Sequence, residues 1–145
     1  MTILTTNAVT PLLPPSPGDA GAQYQPGVCN IGPAEISRRR RGGHVALLAT
    51  AVLFGILVAL HAPALARFLV ALPAAAAATG YLQAALKFCA GFASRGIFNF
   101  GQLGVTEQVA DPVARSRDRR RANEIFGASL VIGVVVGAIA AILPL

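Results

Sequence analysis

The residues best able to do chemistry in this chain are two thiols and an imidazole, Cys29, Cys89 and His44. Two thiolates and one ring nitrogen suit a zinc ion, with Glu35 or a water as the fourth ligand. The same thiols could serve redox chemistry. Their spacing matches no standard metal motif. The plainer alternative is that Cys29 is a small loop residue, that Cys89 packs against the last helix as a small hydrophobe, and that His44 rests at a membrane interface. Two cysteines are too few for a disulfide framework, and a reducing compartment disfavours a bond between them.

The second chemical feature is cationic. Arg38, Arg39, Arg40 and Arg41 form one run, and Arg119, Arg120 and Arg121 close a second that begins at Arg115. Beside a membrane, each such charge gains about 1 kcal/mol near an anionic leaflet. Either the runs bind anionic lipid or they set orientation alone. A third feature is steric. Gly133-Val-Val-Val-Gly137 is a small-xxx-small pattern that allows close helix packing, and Ala71, Ala75 and Ala78 make a comparable stripe. It serves the chain's own helices, a second copy or another protein. Within the apolar stretches the polar residues are only Thr50, Thr79, Tyr81 and Gln83, and no ionisable chain marks an ion or proton path. No nucleophile elbow, phosphate loop or paired carboxylates appear, so no catalytic residue, no enzyme activity and no cofactor are expected.

These residues must be positioned by elements that water alone would not tolerate. Of 145 residues, 54% are hydrophobic and 12% charged, and the formal net charge is +6. That is about half the usual charged share for a soluble domain. The apolar excess is expected to face lipid. The fold expected is an all-α membrane protein with three transmembrane helices and a disordered N-terminal tail. The tail, residues 1–28, is rich in Pro, Gly, Ser and Thr and cannot bury enough surface to fold. It has no basic start and is broken by prolines, so no cleavable signal peptide is read there. The membrane domain covers 29–145, with spans at about 44–62, 68–86 and 125–143. Pro33 fits a helix start, and Gly42-Gly43 allow a bend before the first span. Pro73 should kink the second. Residues 88–110 are expected to be an interfacial loop. Asp111-Pro112 supplies a cap followed by a first-turn proline.

Charge orients the spans. Four basic residues precede the first span, one (Arg67) lies between the first and second, and seven lie between the second and third. Cytoplasmic flanks carry the excess, so three crossings place the N-terminus in the cytoplasm and the C-terminus outside. If the second stretch did not cross, six arginines would fall outside.

The segment Cys29-Asn30-Ile31-Gly32-Pro33-Ala34-Glu35-Ile36, together with Lys87-Phe88-Cys89-Ala90-Gly91-Phe92 and Gly96-Ile97-Phe98-Asn99, resembles a group of small uncharacterised bacterial inner-membrane proteins. The resemblance covers roughly residues 27–121. It implies a multi-pass protein of a bacterial inner (plasma) membrane and a joint role for the two segments, and it carries no activity. The function expected is a non-enzymatic accessory or scaffold subunit of a larger membrane assembly. Its partners are membrane lipids and a protein complex or homo-oligomer, with no nucleic acid. The alternative is a cytoplasmic-face metal or thiol-redox protein built on Cys29, Cys89 and His44.

Overall fold

The computed structural model describes residues 24–143. Three helices long and apolar enough to cross a bilayer dominate it, with a small polar cap at one end. The first helix, α1, runs over Pro33–Ala59, with Pro33 in its opening turn and Glu35 beside it. There is no bend at Gly42-Gly43. The helix is unbroken there, and of the two glycines Gly43 is the one that packs against the second span, while Gly42 faces open space. A Cβ on Gly80 would lie 2.7 Å from the Gly43 backbone nitrogen and 2.9 Å from the Arg39 carbonyl oxygen, so the second span needs a bare backbone there, and a Cβ on Gly43 would press on the Tyr81 ring at 3.3 Å. At about 1.5 Å per residue α1 is ~40 Å long, longer than a ~30 Å hydrocarbon layer, and its cationic first turns project beyond the slab.

A turn leads into the second span, Ala64–Ala85. It comprises α2 (Ala64–Arg67), a 3-10 turn (Phe68–Val70) and α3 (Ala71–Ala85). The tighter turn stands just ahead of Pro73. Proline has no N–H to offer the carbonyl four residues back, so the hydrogen-bonding pattern changes there while the backbone stays helical. Span two therefore crosses, beginning four residues earlier than the sequence indicates.

Residues 88–110, read as an interfacial loop, are instead a folded cap. Helix α4 (Ala90–Arg95) is followed by strands β1 (Ile97–Phe98) and β2 (Glu107–Gln108), paired antiparallel. Asp111 then caps α5 (Pro112–Ile142), accepting from the Val113 and Ala114 amides. Of the expected tail, residues 24–28 are also ordered. They form a tight turn closed by the Gln25–Cys29 bridge, with Gly27 at φ +74°. Residues 1–23 lie outside the described residues.

Helix α3 is the centre of the bundle, with α1 on one flank and α5 on the other. On the α5 side a Cβ at Gly133 would meet the Ala71 carbonyl oxygen and Ala75 Cβ at 2.6 Å, and one at Gly137 would meet Ala71 Cβ at 2.7 Å. The small-residue seam is thus consumed internally. Outward faces carry exposed Val45, Leu48, Val52 and Ile56 on α1 and Leu130, Val131 and Val135 on α5, a surface suited to lipid. The helices alternate in direction. Every Lys and Arg except Arg67 consequently gathers at the capped end, while Arg67 at the other end donates to the Leu143 carbonyl at 2.7 Å.

Candidate functional site

The cap is held by buried polar side chains, of which Glu35 alone was singled out in sequence as a candidate for chemistry. Asn30 is fully buried. Its Nδ2 donates to the Cys89 carbonyl at 3.0 Å and its Oδ1 accepts from the Cys89 amide at 2.6 Å. One side chain thereby satisfies both main-chain groups of a residue fifty-nine positions away. Its own backbone bonds Lys87 and Asn99, and the Gly32 amide donates to the Asn99 carbonyl at 2.8 Å. Gly32 must be glycine, since a Cβ would lie 2.8 Å from the Phe100 carbonyl oxygen. The two segments that the resemblance joined are in direct contact through these bonds.

A second clasp lies across the cap. Asp118 is fully buried although it sits within the arginine run of α5. Its carboxylate accepts from the Tyr24 hydroxyl at 2.8 Å and from the Gly27 amide at 2.7 Å. Burial first, and then this bond to a carboxylate, push the Tyr24 phenol well above its ordinary range. Tyr24 also stacks on Phe98 at 4.7 Å. A lone acid inside a basic run is the one signal that could have flagged this clasp.

Glu35 is the third buried group, 1% exposed. It pairs with Arg38 at 3.6 Å and Arg39 at 3.5 Å, and Arg39 lies over the Phe92 ring at 5.5 Å. A carboxylate at this burial needs such partners. Cys89 lies beside it, buried, as the cap residue of α4, its Sγ accepting from the Phe92 amide at 3.4 Å. Burial raises the Cys89 thiol, partly opposed by the Arg39 charge. A raised thiol is a poor nucleophile and a poor ligand at neutral pH.

The proposed metal trio is not assembled. Among the described residues, no three His, Cys, Asp or Glu side chains come together in a metal-holding group. His44 shares a hydrogen bond with the Tyr81 hydroxyl at 2.6 Å and is exposed on α1. Cys29 is half-buried, its thiol directed to the Ile31 carbonyl, while Cys89 is enclosed. The fold assigns each a local partner, which is why residue types that suit zinc need not make a site.

The arginine clusters separate as well. Arg120 and Arg121 reach Glu124 at 3.5 and 3.0 Å and, with Arg119, lie along α5. Arg40 and Arg41 are exposed on α1. Arg38 and Arg39 join Arg95 around a common cavity.

On the membrane side, the helix hydroxyls stay within their own helices: Thr50, Thr79 and Ser129 each donate to a carbonyl one turn back. Because α1 and α5 meet α3 from opposite flanks, an apolar groove runs between them. Its upper part, about 330 Å³, is floored by Ala74, Ala77 and Ala78 and walled by Leu47 and Ile132. Its lower part, about 220 Å³, lies among Ala51, Phe54, Val70 and Ile139. No protein-family model, curated protein or solved structure matches this chain.

Proposed function

We propose that this chain is a non-enzymatic accessory subunit of a larger membrane protein assembly, seated in a bacterial inner membrane with its cap in the cytoplasm. The groove over the alanine floor of α3 carries the reading. Lipid tails are as apolar as leucine, so helices associate in a bilayer by close packing and not by escape from water. A slot with a small-residue floor and branched walls offers that packing, and it remains open because the internal seams Gly43–Gly80 and Gly133–Ala75 use other faces. The cationic end supports the orientation, since positive flanks are retained on the cytoplasmic side. The polar cap then acts as a rigid base that holds three thin helices in register.

The test is the size of the particle extracted in a mild detergent. The wild-type chain is expected to run as a stoichiometric complex. Ala51→Phe, at an exposed groove position, is expected to release it as a monomer. Gly127→Phe, where an added Cβ meets nothing within 4 Å, is expected to leave the complex intact. A wild-type protein that runs as a clean monomer would sink the proposal.

A further inference from the structure

A separate cavity of about 330 Å³ opens under the cap, between the basic ends of α1 and α4, and shares no lining residue with the apolar groove. We propose that it binds the phosphate-bearing, hydroxylated headgroup of an anionic phospholipid.

Four observations converge there. The first is charge. Arg38, Arg39 and Arg95 line the cavity, and the buried Glu35 pairs with only the first two. Arg95 has no carboxylate within ion-pair distance among the described residues, so the site keeps net positive charge. Guanidinium groups bind phosphate as planar forks of donors. The second is an unanswered polar group. Gln83 lines the same cavity and is 6% exposed, and its Oε1 has no hydrogen-bond partner among the described residues. A buried amide oxygen left without a donor is destabilising. A hydroxyl on the headgroup would supply that donor, while the phosphate takes the arginines.

The third is depth. Gln83 stands two residues before the end of α3, and Phe126 on the opposite wall opens the apolar half of α5. The cavity therefore lies where the slab meets the cap, at the level of lipid headgroups. The fourth is the apolar mouth. Phe126 is 46% exposed, and Leu130, one turn further into the slab, is 63% exposed. This surface suits the start of an acyl chain and is wasted on a free phosphate ester. The volume is right for a headgroup, since a water takes about 30 Å³ in the liquid.

The charge of the headgroup sets its specificity. A choline headgroup carries a phosphate too, but its quaternary ammonium would sit against Arg95. A glycerol headgroup carries the phosphate charge alone and brings two hydroxyls for Gln83.

The experiment is native mass spectrometry of the full chain in detergent, titrated with phosphatidylglycerol or phosphatidylcholine. The wild type is expected to bind phosphatidylglycerol at least roughly tenfold more tightly, since the site's two unbalanced positive charges are each worth a little under a decade. Arg38→Gln with Arg95→Gln leaves Arg39 to hold Glu35, so the fold is kept, and it is expected to bring the two lipids within about twofold. Gln83→Leu, which removes no charge, is expected to weaken phosphatidylglycerol severalfold. Arg119→Gln with Arg120→Gln removes the same charge elsewhere and is expected to change nothing. Equal losses in the two charge-matched pairs would reduce the effect to diffuse surface charge and overturn the site. So would the absence of any preference in the wild type. Glycerol 3-phosphate separates the two sources of this chemistry. Its failure to displace the lipid at millimolar concentration supports a lipid site, and binding as tight as the lipid's overturns that in favour of a soluble phosphate ester.

Discussion

Removing the Asn30 amide should unlock the cap, and the size of the effect follows from its two bonds. Asn30→Ala deletes a donor to the Cys89 carbonyl at 3.0 Å and an acceptor for the Cys89 amide at 2.6 Å. Cys89 is 1% exposed, so water does not replace either partner while the cap stays closed. Each bond contributes about 1–1.5 kcal/mol net, and a stranded main-chain group costs about as much again or more. The expected loss is roughly 3 kcal/mol, close to a 150-fold rise in the population of opened caps. The buried thiol itself reports this. In a Cys29→Ser background, Cys89 reacts with a maleimide only when the cap opens, and under fast reclosing its rate tracks the opening equilibrium. The labelling rate of Asn30→Ala should therefore rise about two decades over the parent. Asn30→Asp keeps an acceptor for the Cys89 amide but turns a carboxylate on the Cys89 carbonyl, so it should label at least as fast as Asn30→Ala. A change below about threefold in Asn30→Ala would refute the claim that this amide holds the cap shut.

Four other outcomes follow. Gly133→Ala should destabilise the bundle by about 1–3 kcal/mol, because its Cβ would press on the Ala71 carbonyl and on Ala75 at 2.6 Å; Gly127→Ala, which faces open space, should be neutral or gain up to ~1 kcal/mol, read by SDS titration in mixed micelles. Asp118→Ala should free the 24–28 turn, seen as protease cleavage near Gly27 that leaves the three spans intact. The Tyr24 phenolate band, followed in Tyr81→Phe, should emerge only well above the ordinary tyrosine range, since Asp118 accepts from the protonated hydroxyl. The cap should loosen in alkali for a related reason: the Cys89 thiol is raised in the folded state, so its contribution is whole below the ordinary thiol range and fades as pH climbs from there through the raised value, and Cys89→Ser should flatten that fall in a thermal scan.

Three spans were legible because length and hydropathy report a bilayer crossing directly, and the Asp111-Pro112 cap because its chemistry is local. Pro73 was read as a kink, and a 3-10 turn stands just ahead of it, a choice that depends on the hydrogen bonding there. Gly42-Gly43 looked like a hinge, yet Gly43 exists to admit Gly80, a partner thirty-seven positions away that no local rule names. The cap stayed hidden for the same reason. Asn30, Asn99 and Asp118 are ordinary loop and helix residues in sequence, and their meaning comes from main-chain groups in distant segments. Arginine runs were visible, but their division into Arg38, Arg39 and Arg95 on one side and Arg119 to Arg121 on the other is a matter of helix rotation. The thiols and the imidazole suggested a metal by type alone, and local bonding dispersed them.

The clasp between Tyr24 and Asp118 spans 94 positions of chain, which gives synthesis a fixed order. The Tyr24 hydroxyl and Gly27 amide leave the ribosome first and lack their shared acceptor until the opening turns of the last helix emerge. Two hydrophobic segments are by then already committed to the bilayer. Closure of this latch therefore reports that synthesis has reached the last helix. A nascent chain stopped before Asp118 leaves the 24–28 turn without its carboxylate partner, a loose end open to proteolysis.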